Sequence, residues 1–178
     1  MNWEFNFLYF LQELHTPLLD TIMLIFTKIG NIGMPWLAVA AVMLCFKKTR
    51  RCGIAILGSM LLKEIIGNLL LKNIIARERP CWIDTSVPLL ISSPSSFSFP
   101  SGHTFDAFAA SVSILLYYKK AGIAAILVGS IIAFSRMYLF VHFPTDVLAS
   151  VLLGILVAVF VHKLVETYYP GNIYKIHR

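Results

Sequence analysis

Three short polar segments carry the side chains in this sequence that could bind an anion or move a proton. They lie at residues 72–80, 100–103 and 135–146, and each borders a long apolar run. They hold basic side chains, two histidines and one aspartate. These are the groups that a phosphate-transfer site needs, because such a site must neutralise oxygen charge and position the reacting groups.

The first segment holds two cations whose spacing suits one face of a helix. Lys72 and Arg79 are seven positions apart, which is about two turns if the helix continues between them, and Pro80 would then end it. An arginine presents a planar fork to two phosphate oxygens and a lysine presents a point charge, so the pair predicts a phosphate site. Interfacial basic residues that contact lipid headgroups show the same pattern.

The second segment, Pro100 to His103, indicates the entry into a helix, because an apolar run follows it directly. Ser101 is placed to be the N-cap, and Gly102 would let the backbone approach a ligand closely. The free N–H groups at a helix N-terminus favour an anion, and His103 would lie beside that anion as an acid. A simple capping loop also explains most of this tetrapeptide.

The third segment places a histidine and a carboxylate at the start of the last apolar run. His142 and Asp146 are four positions apart, with Pro144 between them where the first helical turn would begin. A carboxylate can hold one imidazole nitrogen and leave the other free to attack, which is how a nucleophile is oriented. A lone pair at this spacing also occurs as a structural hydrogen bond.

The elements that must position these segments are predicted to be helices in a membrane. The chain has 178 residues, of which 58% are hydrophobic and 13% charged, whereas soluble domains average about 25% charged residues. A soluble fold of this size would lack polar residues to cover its surface, so a bilayer is the natural solvent. Apolar stretches lie at about residues 17–30, 34–46, 52–71, 104–118, 122–140 and 144–165.

We therefore predict an all-α fold, with a single membrane-embedded domain over residues 1–178 that forms an integral membrane bundle of about six transmembrane helices. Residues 3–14 alternate aromatic and aliphatic groups with polar ones. This pattern predicts an interfacial N-terminal helix, although a short packed helix would show it as well. Lys63 and Glu64 lie within the third apolar stretch, and we interpret them as snorkelling to the cytoplasmic surface.

The distribution of basic residues predicts the orientation of this bundle. Basic clusters at residues 47–51 and 119–120 lie between apolar stretches, which is typical of positive-inside loops and not of a nucleic-acid-binding face. Residues 72–103 and the turn near 136–146 then lie outside, so all three polar segments come to one membrane face. Basic residues in these outside segments are contrary to the preference of lysine and arginine for cytoplasmic loops. A bound anion would explain why they lie there.

Together the three segments resemble the type-2 phosphatidic acid phosphatase family. The match covers its whole tripartite signature, Lys-x6-Arg-Pro, Pro-Ser-Gly-His and Ser-Arg-x5-His-x3-Asp, at eleven fixed positions. At about one chance in twenty per position, accidental agreement in this order is negligible. The chain length and the six-span layout also resemble the bacterial membrane members of the family.

The resemblance implies a role for each matching residue. His142 would be the nucleophile that forms a phosphohistidine, Asp146 would orient it, and His103 would protonate the leaving oxygen and then activate water. Five residues would hold the phosphoryl oxygens: Lys72, Arg79, Ser101, Gly102 and Arg136. The family works without a metal, and the sequence shows no His/Cys ligand spacing, so we expect no metal and no other cofactor. Arg77 lies outside the signature, and both a role at a second phosphate or headgroup and simple contact with lipid phosphates stay open for it.

The resemblance also implies a metal-independent lipid phosphatase or pyrophosphatase of the cell membrane, with its active site on the extracellular or periplasmic side. Undecaprenyl pyrophosphate is the favoured substrate, because small family members often recycle that carrier. Phosphatidylglycerophosphate, phosphatidic acid and a lipid A phosphate are alternatives, since the motif recognises phosphate and not the tail. The expected partners are this substrate and membrane lipids, without nucleic acid, and the oligomeric state is open. The competing class is a non-enzymatic lipid-phosphate-binding or transport protein, against which the intact nucleophile, acid and aspartate argue.

Overall fold

Every regular element in the computed structural model, which describes residues 3–169, is helical. Residues 1–2 and 170–178, which the single-domain prediction includes, lie outside the described residues. The all-α prediction is confirmed. In chain order the elements are α1 (Trp3–Glu13), α2 (Pro17–Ile29), a 3-10 turn (Asn31–Gly33), α3 (Met34–Cys45), α4 (Arg50–Lys63) with a π-helical continuation (Glu64–Leu71), α5 (Lys72–Ile75), α6 (Pro80–Ile83), α7 (Gly102–Tyr117), α8 (Lys119–Tyr138) and α9 (Pro144–Tyr168).

The six apolar stretches of the sequence all form helices, namely α2, α3, α4 with its continuation, α7, α8 and α9. By length and composition, three helices of the described chain could cross a membrane, over Arg50–Ile83, Lys119–Tyr138 and Pro144–Tyr168. Helices α2 and α3 meet at a bend of 49° and would make a fourth crossing if they form one span. This is fewer than the predicted six spans, because α2, α3 and α7 have only 13, 12 and 16 residues.

Helix α7 is the centre of the bundle, and all of its residues from Thr104 to Ile114 are buried. It packs against α4, α8 and α9, and glycines on two of these helices allow a close approach. A Cβ atom at Gly129 would lie 3.3 Å from the Cβ of Ala107, and one at Gly154 would lie 2.8 Å from the Cβ of Phe108. Small residues at such contacts are how membrane helices pack tightly. An enclosed helix of this kind need not be as long as one that faces lipid.

The outer faces of the long helices are apolar. On α9, Leu148, Leu152 and Leu156 recur every four residues and are 61%, 62% and 65% exposed. A continuous apolar stripe of this size is not stable in water and marks a surface that lipid covers. The bundle is therefore that of a membrane protein.

Helix α1 packs against the turn that joins α8 to α9. Its buried residues, Glu4, Leu8 and Leu11, are spaced four and three apart and so face one side. Leu8 and Leu11 share a buried cluster with Tyr138, the last residue of α8, and with Phe140 of that turn. The helix predicted for residues 3–14 is confirmed, and its inner face is that of a packed helix. Its place at the membrane interface stays a prediction.

Candidate active site

A cavity of about 570 Å³ brings the three polar segments together. Ser101 and Asp146 do not line it and are fully buried. Leucines and a methionine of α3 and α4 give the cavity one apolar side. The other six predicted site residues line it: Lys72, Arg79, Gly102, His103, Arg136 and His142.

The chain between Lys72 and Arg79 does not continue as a helix, contrary to the sequence-based expectation. The helix ends at Ile75, because Ala76 takes a left-handed conformation with a φ of 46°. Arg79 is extended, and Pro80 begins helix α6 instead of ending a helix. Alanine is a good helix former, so nothing local marks this break. The break allows Arg79 to turn into the cavity, where its contacts with other segments hold it.

Arg79 is fixed by backbone carbonyls from two other segments. Its guanidinium donates to the carbonyl oxygens of Ser96 at 2.6 Å, Phe97 at 3.2 Å and Val141 at 2.8 Å. Its Nη1 also donates to His142 Nε2 at 3.1 Å. Arg79 thus ties the loop before α7 to the turn before α9, with its positive charge at the histidine.

Lys72 and Arg136 are positioned by neutral groups. Lys72 Nζ donates to Asn68 Oδ1 at 3.1 Å and to Ser96 Oγ at 3.4 Å. Arg136 Nη1 donates to the Thr27 hydroxyl, while its Nε is one of the buried polar atoms in residues 3–169 that have no hydrogen-bond partner. A buried donor without a partner costs about 1–3 kcal/mol. Both cations line the cavity, and neither contacts a carboxylate of the described residues there.

His142 lies on the turn between α8 and α9 and is 2% exposed. A guanidinium can only donate, so the contact with Arg79 places the lone pair on Nε2 and the hydrogen on Nδ1. Burial, with the positive charges of Arg79 and Arg136, lowers the pKa of His142 to about 3. The imidazole is therefore neutral near neutral pH. A neutral ring with its lone pair on Nε2 is the form that can attack phosphorus, and His142 lines the cavity.

Asp146 lies behind the imidazole, in the first turn of α9. Its Oδ2 is 3.7 Å from His142 Nδ1, which is longer than a hydrogen bond. The same oxygen accepts from the Ser98 hydroxyl at 2.5 Å and from the Phe143 backbone N–H at 2.9 Å. Ser98 Oγ is also 3.4 Å from His142 Nδ1. Sequence analysis missed Ser98, because nothing distinguishes it from its four neighbouring serines in residues 92–98.

His103 lies in the first turn of α7, and its Nε2 is 2.9 Å from Asn31 Oδ1. Ser101 occupies the predicted N-cap position, but its side chain makes no capping hydrogen bond and pairs with the Thr104 hydroxyl at 3.0 Å. The Ser101 side chain therefore leaves the first N–H groups of α7 free of a side-chain cap. Asn31 comes from the 3-10 turn before α3, and no feature of the sequence connected it with His103.

Lys63 does not snorkel to the cytoplasmic surface, so that interpretation was wrong. It is 5% exposed and lines the cavity. Its Nζ pairs with Asp106 at 2.9 Å and with Glu64 at 3.3 Å. Buried ammonium groups need such partners, because desolvating an unpaired charge is costly. Its partner Asp106 lies 43 residues away in the chain, so the pairing could not be inferred from spacing.

The cavity as a whole is suited to an anion. Its lining includes four cationic side chains, Lys63, Lys72, Arg79 and Arg136, against two carboxylates. Among residues 3–169, no group of three or more histidine, cysteine, aspartate or glutamate side chains is arranged to hold a metal ion. A buried neutral imidazole, a second histidine and an excess of positive charge can together transfer a phosphoryl group.

The family follows from a comparison with known proteins. The family model described as the PAP2 superfamily matches residues 53–170, which is well over half of the chain and includes all three polar segments. The chain belongs to the PAP2 superfamily. The resemblance inferred from the signature is therefore confirmed.

Relatives of this PAP2 protein include two that are named undecaprenyl-diphosphatase. The one from Sulfolobus acidocaldarius is 34% identical over 137 residues, which are 76% of this chain and 66% of that protein. BcrC from Bacillus subtilis is 29% identical over 158 residues, which are 88% of this chain and 80% of that protein. The crystal structure of a transmembrane PAP2-type phosphatidylglycerolphosphate phosphatase from Bacillus subtilis matches with a TM-score of 0.75 and 27% identity, over 93% of this chain and 85% of that one.

These comparisons confirm the predicted class, a membrane-embedded lipid phosphatase of the PAP2 superfamily. They do not favour the non-enzymatic binding or transport protein. The roles of the individual site residues and the membrane face stay predictions.

Proposed function

We propose that this PAP2 protein hydrolyses a lipid pyrophosphate, undecaprenyl pyrophosphate first, to the lipid monophosphate and inorganic phosphate. The two relatives named undecaprenyl-diphosphatase align with 76% and 88% of this chain. Phosphatidylglycerophosphatase B from Bacillus subtilis is more identical, at 41%, but aligns with only 50% of it. Phosphatidylglycerophosphate is therefore the second candidate substrate, and phosphatidic acid and a lipid A phosphate follow.

The observation that carries the proposed chemistry is the buried His142, which lines the cavity with its lone pair on Nε2. In the first step Nε2 attacks the terminal phosphorus and the bond from phosphorus to the bridging oxygen breaks. His103 takes up a proton when the anionic substrate binds beside it and gives that proton to the leaving oxygen. In the second step His103 takes a proton from water, the water oxygen attacks phosphorus, and the bond from nitrogen to phosphorus breaks. Asp146 compensates the positive ring of the phosphohistidine through the Nδ1 side.

Phosphate binding is assigned to the cations and to the start of α7. Lys72, Arg79 and Arg136, which all line the cavity, neutralise the phosphoryl oxygens. Gly102 adds backbone N–H groups at the helix N-terminus. Ser101 contributes through its backbone and through the shape of this turn, because its hydroxyl is buried against Thr104.

The apolar side of the cavity gives the lipid tail a path into the bilayer. It consists of Leu37 on α3 with Leu57, Met60 and Leu61 on α4. Three of these are partly open to the outside of the bundle, since Leu37, Leu57 and Leu61 are 39%, 37% and 65% exposed. A long isoprenoid chain could lie against this surface while its phosphates reach the cations.

The site is proposed to face the outer side of the cytoplasmic membrane. The basic loops at residues 47–51 and 119–120 lie at the ends of α3 and α7 that are opposite the cavity. Arg50 and Lys72 are the first residues of α4 and α5 on one nearly continuous helix, and 22 residues at ~1.5 Å each correspond to about the thickness of the hydrocarbon core. With the basic loops inside, the phosphates bind outside.

The experiment is phosphate release by the full chain, purified in detergent, with a metal chelator present. The panel is undecaprenyl pyrophosphate, phosphatidylglycerophosphate, phosphatidic acid and a lipid A phosphate. We expect the fastest release from undecaprenyl pyrophosphate and none from His142→Ala, because the attacking atom is missing. His162→Ala is the matched control, since His162 packs against Tyr117 with ring centroids 4.8 Å apart and does not line the cavity.

Three outcomes would contradict parts of the proposal. Normal turnover in His142→Ala would overturn the nucleophile. Faster release from phosphatidylglycerophosphate would replace the substrate while keeping the mechanism. Activity that chelator abolishes and a divalent ion restores would overturn the metal-independent chemistry.

A further inference from the structure

We propose that Arg77 and Glu4 form a brace behind the active site that positions Asp146 for His142. The inference rests on the proposed function of His142 as nucleophile. Neither brace residue belongs to the PAP2 signature, and neither lines the cavity. Both are positioning residues, since they would act on the substrate only through Asp146.

Arg77 contacts the catalytic pair from the side away from the cavity. Its Nη1 donates to Asp146 Oδ1 at 2.6 Å and to Thr145 Oγ1 at 2.7 Å. Its Nη2 donates to Glu4 Oε2 at 2.7 Å. Its Cζ also lies 4.0 Å from the centroid of the Phe143 ring, within the range of a cation–π contact. Every one of these partners belongs to α1 or to the turn that begins α9.

This geometry favours neither role that the sequence left open for Arg77. A residue that bound a second phosphate would face the cavity, and one that met lipid phosphates would direct its guanidinium away from the protein. Arg77 instead uses both terminal nitrogens on carboxylates within the protein. Its contact with Asp146 explains why a cation belongs there, because Asp146 has no exposed surface and a buried carboxylate needs compensation.

Glu4 completes the arrangement from α1. It is 5% exposed, and its Oε1 accepts from the Thr145 hydroxyl at 2.6 Å while its Oε2 accepts from Arg77. With Glu4 present, the charge of Arg77 is shared between two carboxylates, so Asp146 keeps more of its negative charge for the imidazole. Buried polar networks of this kind act as units, because removing one member leaves the others unsatisfied.

The consequence for the nucleophile is a fixed carboxylate. Arg77 holds Oδ1, so Oδ2 is the oxygen directed at His142 Nδ1, together with the Ser98 hydroxyl. If the carboxylate rotated, the imidazole would lose its fixed neighbour and Nε2 would no longer point reliably into the cavity. A misplacement of about 1 Å in such a site can cost roughly 100-fold in rate.

The test compares this brace with a second arginine–glutamate pair in the same protein. Arg51 and Glu166 join α4 to α9 at the opposite end of the bundle, and the side chains of Arg51 and Arg77 are equally exposed, at 27%. The variants are Arg77→Gln, Arg77→Lys and Glu4→Gln, with Arg51→Gln and Glu166→Gln as controls. For each full-length protein, kcat, KM and thermal midpoint are measured in detergent with the best substrate of the panel.

We expect Arg77→Gln to lower kcat about 100-fold, with KM within about twofold of the parent, because substrate contacts are unchanged. Arg77→Lys should recover part of kcat, since the charge remains and the bidentate fork does not. Glu4→Gln should lower kcat less, and adding it to Arg77→Gln should cost little more, because the pair acts as one unit. The two control variants should keep both constants, even where their thermal midpoints fall.

The proposal is overturned if Arg77→Gln raises KM and spares kcat, which would make Arg77 a substrate-binding residue. It is also overturned if kcat in the brace variants follows thermal midpoint as it does in the controls, which would make the brace merely structural. Failure of the proposed function is separate: it would appear as turnover by His142→Ala, whatever the brace variants do.

Discussion

A single methyl group added at Gly102 should remove activity without weakening the fold. Gly102 is the first residue of α7 and lines the cavity. A Cβ atom built there lies 3.9 Å from both Asn68 Oδ1 and Lys63 Nζ, its nearest neighbours. That is ordinary van der Waals contact, so the substitution Gly102→Ala requires no repacking. Alanine also favours a helical backbone by up to about 1 kcal/mol over glycine.

The methyl group would nevertheless occupy the space that a phosphoryl oxygen needs at the helix start. An oxygen that accepts from a backbone N–H lies about 2.7–3.1 Å from the nitrogen. The added methyl carbon would crowd a phosphoryl oxygen held that close to the Gly102 backbone and would push the oxygen away. A displacement of about 1 Å corresponds to a loss of roughly 100-fold, or about 2.7 kcal/mol of transition-state binding. We therefore expect kcat/KM of Gly102→Ala to fall about 100-fold while its thermal midpoint is unchanged or slightly higher.

Gly154→Ala is the reciprocal control. A Cβ at Gly154 would lie 2.8 Å from Phe108 Cβ and 3.0 Å from the Ala109 nitrogen, so α9 must shift against α7 at a cost of about 1–3 kcal/mol. This variant should lose thermal stability and keep its activity per folded molecule. Full activity in Gly102→Ala would refute the assignment of a phosphate to the start of α7. The assignment would also be refuted if both variants lost activity in proportion to their loss of thermal stability.

Three further predictions concern Lys63, Asn31 and His142, which lie in or beside the cavity. Lys63→Met should lower stability by about 3–5 kcal/mol, because Asp106 is left buried and unpaired, and the double variant with Asp106→Leu should recover most of the loss in a thermal melt. Asn31→Ala should lower kcat about tenfold through the lost hydrogen bond to His103, with KM nearly unchanged in the same phosphate-release assay. Because the pKa of His142 is about 3 in the folded chain and about 6.5 in the unfolded one, the unfolded chain binds this proton first. Stability should therefore fall as pH drops below about 6.5, and less steeply in His142→Asn, when melts are recorded across that window.

The part of the site that the sequence predicted is the part that depends on residue type and order. Apolar runs predicted the helices, and the basic loops placed the three polar segments at one end of them. His103 and His142 then line one cavity, as the alternation of helices requires. The helices and the shared end of the three polar segments can be predicted from apolar runs and from the alternating direction of successive helices, and neither requires knowledge of tertiary contacts.

The remainder depends on contacts between distant residues. Ala76 breaks a helix although its type favours one, because Arg79 must turn back to reach carbonyls in two other segments. Lys63 seemed free to snorkel because its carboxylate partner lies on α7. Ser98 could not be separated from neighbouring serines of the same type. In each case the deciding interaction is tertiary, and tertiary contacts override local preference.

The partners of the basic residues divide them into two groups. Lys72 and Arg136 donate to amide or hydroxyl oxygens, and Arg79 donates to carbonyls and an imidazole, so their charges are not cancelled by a carboxylate contact. Lys63 and Arg77 are each paired with two carboxylates, so their charge stabilises the fold around the site. Neutral partners fix the direction of a cation and leave its field for an incoming phosphate. Of these five basic residues, only the three with neutral partners match the signature found in the sequence. We therefore expect those three to bind phosphate, and Lys63 and Arg77 to hold the structure around them.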